Sequence, residues 1–168
     1  MNRGSKNKLA VASPGTVITI SFFMLLAVIL FVLLDPSEQA KKGSDQLITN
    51  ISTEIYSATV RATVVKLEIP LKAGLTSVLL NSKEGLEAIN TLIGIGELKK
   101  SFIKNSMNQL SKIYLTTASD QSSYAICFKP ESKNFKKNSN NMYDQFGEKT
   151  GCNKSKECYY CLNGKMKN

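Results

Sequence analysis

Histidine and tryptophan are both absent from this chain of 168 residues. Without histidine there is no Ser-His-Asp or Cys-His catalytic machinery, and most catalytic zinc sites lose their usual ligand. Acid is scarce as well: 13 Asp and Glu stand against 22 Lys and Arg, a formal charge of +9. Cysteine occurs only four times, at Cys127, Cys152, Cys158 and Cys161. Charge of either sign is missing altogether from one long run, Thr16 to Leu34.

That run, TVITISFFMLLAVILFVLL, has nineteen residues. As a helix it extends roughly 28 Å, close to the hydrocarbon core of a bilayer. Arg3, Lys6 and Lys8 precede it without an acid, and Asp35 and Glu38 follow it. This asymmetry places residues 1–15 in the cytoplasm and everything from Asp35 outside. The reading is of a single-pass protein of the cytoplasmic (inner) membrane, with a basic leader at 1–15, a transmembrane helix at 16–34 and an extracytoplasmic domain at 35–168. A cleaved secretory signal would carry a shorter apolar stretch followed by small residues, whereas Asp35-Pro36 follows here. Ser13-Pro14-Gly15 is a turn signal, and the bond between Gly15 and Thr16 is where a leader cut on the cytoplasmic side would end.

Pro36 bends or ends the helix. Beyond it Ile48, Ile51, Ile55, Ala58, Ala62 and Val65 recur at spacings of three and four. They form the apolar face of an amphipathic helix that reaches about Glu68. The half near Ile48 and Ile55 is expected to lack a covering strand and to serve as an assembly stripe. Leu71 to Asn81 reads as a second short helix. Lys83 to about Ser111 reads as a third, broken at Gly94 and Gly96. KIYLTTAS and SYAICFKP then read as a hairpin turning at Asp120, and ECYYCL as a third strand. Helices followed by strands give an α+β class with a small antiparallel sheet. The intervening Glu131 to Gly151 is a polar loop. Lys129 to Asn168 holds nine Lys and four acids, so this end is basic. It suits nucleic acid, anionic lipid or a polyanionic cell surface, or is simply a solvated lysine-rich face.

Four cysteines outside the membrane suggest two disulfides. If Cys158 and Cys161 share a strand, their thiols point to opposite faces and take different partners. Cys127 with Cys161 and Cys152 with Cys158 is then the preferred connectivity. A zinc site built on Cys158-Tyr-Tyr-Cys161 is the alternative, and a redox-active Cys158-x-x-Cys161 is another.

Asp35-Pro36-Ser-Glu38-Gln39 followed by Asp45, Ile51, Glu54, Ile55 and Ala58 carries a resemblance. So do Leu92-Ile93 with Gly96-Glu97-Leu98-Lys99 and Phe102, Cys127-Phe-Lys-Pro-Glu-Ser-Lys133-Asn-Phe135, and the closing Cys158-Tyr-Tyr-Cys161. In this order they resemble type IV pilins, in particular those of candidate-phylum bacteria. The resemblance implies a lipid helix bent at a proline, a small antiparallel sheet and no enzymatic activity or cofactor. It implies a major or minor subunit of a homo- or hetero-oligomeric filament, with adhesion, DNA uptake or motility as family-level roles. Two positions depart from the family pattern: Thr16 stands where Phe is usual, and Ile20 where an acid is expected. A type II secretion pseudopilin or another anchored extracellular binding domain is the alternative reading, and a membrane-anchored hydrolase or redox enzyme a third.

Overall fold

The computed structural model describes residues 14–138, 142–149 and 157–165, with the side chains of 31–34 and 165 outside that description. The chain forms two compact units whose boundary falls between Gln39 and Ala40.

In the first unit, α1 runs from Pro14 to Leu34. Asp35 then leaves the helical region with a φ of 36°, and Pro36 opens α2, Pro36–Lys66. Proline disfavours helical backbone in the residue before it and loses nothing at a first helical position, where its missing N–H has no partner to find. The expected single helix bent at Pro36 is therefore two helices separated by one residue. Asp35 caps the second: its carbonyl accepts from the N–H groups of Glu38 and Gln39, and its carboxylate from the Ser37 hydroxyl at 2.8 Å.

The second unit is α+β. Four antiparallel strands lie in the order β1 (Val78–Leu79), β2 (Ile113–Thr117), β3 (Ser123–Phe128), β4 (Tyr160–Lys165). The hairpin turns at Asp120, whose carboxylate accepts from the Ser122 N–H and hydroxyl. Alternation sends Ile113 and Leu115 of β2 and Tyr124, Ile126 and Phe128 of β3 to one face. There they meet Ile48, Ile55, Ala58 and Ala62 of α2 in one buried cluster. The cluster also takes Ala88, Ile89 and Leu92 of α3 (Lys83–Gly94) and Phe102 and Leu110 of α4 (Phe102–Leu110). The break between α3 and α4 falls at the Gly94–Gly96 stretch, where Gly96 adopts a φ of 84°.

Leu71 to Asn81 is not a helix. Leu71, Leu75 and Leu80 are buried, but the backbone between them is committed elsewhere. The Thr117 hydroxyl donates to the Lys72 carbonyl and accepts from the Leu75 N–H, and Val78 pairs with Leu115 as edge strand β1. Partners distant in sequence thus override a local pattern.

The link between α2 and the sheet is Asp45, fully buried on α2. Its carboxylate accepts from the Glu131 N–H at 3.0 Å and the Ser132 N–H at 2.8 Å. Ser132 in turn caps the short α5, Lys133–Lys136. Phe135 of α5 closes a three-ring cluster with Phe128 and Tyr160, at centroid distances of 6.4 and 6.1 Å. Removing the carboxylate strands two N–H groups, one of them fully buried. Asp45→Ala is therefore expected to cost about 2–3 kcal/mol in chemical denaturation, and Asp45→Asn less, since the amide keeps one acceptor. A loss from Asp45→Ala no larger than that of a surface substitution would show that the contact is incidental.

Burial pushes the Tyr124 hydroxyl well above its ordinary value of 10.0, and Tyr56, whose carbonyl accepts from it, adds to the shift. A raised value in the folded state leaves the contribution whole below the unfolded value and removes it as pH climbs toward the folded one. The chain should lose stability above about pH 10, and Tyr124→Phe should flatten that loss; parallel alkaline melting curves for the two proteins would refute the assignment.

Candidate functional site

The outer face of the sheet carries Cys127 and Cys161. Cys127 and Cys161 are cross-strand partners in the β3–β4 register, with Cα atoms 4.2 Å apart, and they form a disulfide. Ala125 and Tyr159 bury with them, and Tyr114 and Tyr143 pack alongside. With the Cys161 sulfur bonded to Cys127, neither is available to a zinc ion, and Cys158 and Cys161 cannot form a redox pair with each other. Cys158 is also disulfide-bonded. Cys152, its expected partner, lies outside the described residues. Among the described residues no cluster of Cys, Asp and Glu is arranged to hold a metal ion.

The expected assembly stripe divides. Ile48, Ile55, Ala58 and Ala62 are each 2% exposed or less, inside this chain's own core. They are not available to a neighbouring subunit, because they are buried in one cluster with residues of the sheet, α3 and α4. Ile51 is half-buried against the same core, and only Val65 is fully exposed, at 78%.

Exposed apolar surface is concentrated on α1 instead. Val17, Ile18, Ile20, Phe22, Phe23 and Leu25 each leave at least half of their surface uncovered. Gly15 and Thr16, the residues of the expected cleavage point, lie in the first turn of this helix. Among the described residues no helix is long and apolar enough to cross a membrane. The described side chains of α1 run from 14 to 30, and residues 31–34, which complete the uncharged run, lie outside them.

Basic residues from four separate parts of the chain gather at one place. Lys41 of α2, Lys112 before β2, Lys129 after β3 and Lys136 of α5 line one surface cleft of about 480 Å³, with Ser111 and Tyr114 between them. Glu131 pairs with Lys112 at 3.0 Å, and Glu157 pairs with Lys129 and raises its pKa. The Pro130–Glu131 wall of the cleft is the segment whose N–H groups Asp45 holds. The basic C-terminal segment thus supplies only two of the four lysines, and Lys41 is eighty-eight residues before Lys129 (129 − 41).

The chain matches no family model, no curated protein and no solved structure.

A cleft of this kind attracts polyanions by displacing their counterions, with a salt dependence that tracks the number of lysines engaged. Lys41→Glu with Lys129→Glu should elute from heparin at lower salt than the unaltered chain. The log–log salt slope should become shallower by about 1 for each lysine–sulfate pair removed. Lys83→Glu, outside the cleft, is the control, and an equal shift from it would reduce the cleft to general surface charge.

Proposed function

We propose that this chain is a membrane-anchored structural subunit of a type IV pilus-like filament, with α1 as its anchor and its assembly element. One observation carries the reading: α1 has no charged residue and exposes large apolar side chains around its whole circumference from Val17 to Leu30. Fully burying one such side chain contributes about 1.5–3 kcal/mol, so water is the wrong surrounding for this helix. Lipid covers it before assembly, and neighbouring copies of α1 cover it in a filament. The sequence supplies the rest of the case: an uncharged run of nineteen residues, positive charge on its N-terminal side only, and the four stretches that resemble pilins. The α+β unit then stands outside the membrane as the head, with the lysine cleft as its polyanion-facing surface.

Because Ile48, Ile55, Ala58 and Ala62 belong to the head's own core, the assembly contact lies in α1 and not along that stripe. Ile20, where the resembled family carries an acid, favours a minor subunit or an anchored extracellular binding domain as the second reading.

In native-host membranes the chain should resist alkaline carbonate extraction, and a single cysteine introduced at position 133 should label from outside intact cells while one at position 8 should not. Leu25→Lys places a charge mid-helix at a cost of about 2.5–3.5 kcal/mol. It should abolish sedimentable filaments while the head keeps its Cys127–Cys161 bridge. Extraction of the unaltered chain by carbonate removes the anchor; a stably inserted chain that never sediments as filaments leaves the second reading.

A further inference from the structure

The outer face of the sheet holds a second concavity, away from the lysines. Its volume is about 480 Å³, within the range of small-ligand sites. Thr116 of β2, Ser123 of β3 and Asn163 of β4 lie on its floor, with Thr76 at one edge and Phe146 and Glu148 at the other. Ala125 separates the polar side chains and brings the floor close to the overlying loop.

That loop is locked in place. The Asp144 carboxylate accepts from the N–H groups of Phe146 and Glu148, both at 2.9 Å. Gly147 has a φ of 84°, and a Cβ there would stand 2.3 Å from the Ala125 Cβ. Only glycine lets the loop lie this close. The geometry fixes Phe146 and Glu148 at the rim. Phe146 is 40% exposed, the one exposed aromatic ring among the described residues from Ala40 onward.

The polar groups retain unused capacity. The Thr116 oxygen accepts from the Ser77 N–H, which leaves its O–H proton to donate outward. Asn163 donates one amide N–H to the Gly147 carbonyl at 3.3 Å and keeps a second. Glu148 is exposed and is the one charged side chain among the described residues of the lining.

We propose that this concavity binds a neutral saccharide. A sugar ring presents hydroxyls at its edge and C–H groups on its faces. Phe146 offers a flat apolar surface to such a face. Thr116, Ser123 and Asn163, spread over three neighbouring strands, offer short polar side chains to hydroxyls around the ring edge, and the Glu148 carboxylate accepts from such hydroxyls. Among the described residues of the lining no cation offsets Glu148 toward an anion, and the four-lysine cleft is a different surface.

The site belongs to the α+β unit and does not depend on the anchor or on filament assembly. The test uses the full chain in phospholipid nanodiscs, which contain no sugar headgroup, with galactose, N-acetylglucosamine and chitobiose as probes in saturation-transfer difference NMR. At least one probe should receive saturation on its ring C–H protons, and Phe146→Ala and Thr116→Val should each reduce it several-fold. Phe146 is exposed, so its variant should keep the melting temperature of the unaltered chain. No transfer to any probe overturns the proposal, and so does transfer that both variants leave intact. Binding of a lysine-rich peptide that is lost in Glu148→Gln, with no transfer to any sugar, overturns it in favour of a cationic peptide.

Discussion

A buried carboxylate ties the α+β unit together across more than eighty residues of sequence. Asp45 sits on α2 with no solvent exposure, and the groups it binds, the N–H of Glu131 and of Ser132, come more than eighty residues later (131 − 45 = 86). A buried charge is tolerable only when hydrogen bonds replace its water. Meeting that condition turns the chain leaving β3 back over α2. It also places Ser132 to cap α5 and delivers Phe135 to Phe128 and Tyr160. The same segment is the wall of the lysine cleft, so one interaction sets both core and surface.

The sheet is loaded on both faces at β3, and this explains where the remaining chemistry lies. Its inner face carries Tyr124, Ile126 and Phe128 against the helices. Its outer face carries Ala125 and Cys127, which would be exposed were it not for the disulfide and the loop at 142–149. A cross-strand bridge ties β4 to β3, and the loop packs on the result, with Gly147 nearly touching Ala125. Gly164 reflects the same crowding on the inner face, because a Cβ there would enter the Tyr124 ring at 2.3 Å. Strand β4 can therefore lie beside β3 only with a glycine opposite that tyrosine. Covering the outer face with a rigid loop rather than a helix leaves shallow concavities at its margins.

The division of labour between the two units follows from solvent. In α1 every side chain from Val17 to Leu30 is uncharged, and no stripe distinguishes one face from another. Such a helix gains equally from any apolar surrounding, which suits lipid and a bundle of identical helices alike. In α2 the face that carries Ile48, Ile55, Ala58 and Ala62 is buried in the α+β unit's own core, while Leu47, Val64 and Val65 stay exposed. The two helices are adjacent in sequence but solve opposite problems.

Much of this architecture is a matter of local pattern. The uncharged run, the helical period through Ile48, Ile55 and Ala62, the glycine break after α3 and the hairpin around Asp120 are all short-range properties of the residues themselves. Strand parity does not separate Cys158 from Cys161, because Cys158 precedes β4; the cross-strand register of Cys127 with Cys161 decides that pairing. What the sequence could not determine is which apolar face meets which neighbour. The stripe on α2 looks the same whether it awaits a second subunit or its own sheet, and only its place in the folded core settles it. Leu71 to Asn81 reads locally as a short helix, yet the Thr117 hydroxyl and the pairing of Val78 with Leu115 hold its backbone along the sheet edge. Nothing in the local pattern around Lys41, Asp45 or Phe146 marks them out. Their roles come from partners far along the chain, and the physical reason is that burial and charge proximity are properties of the folded contact, not of the residue.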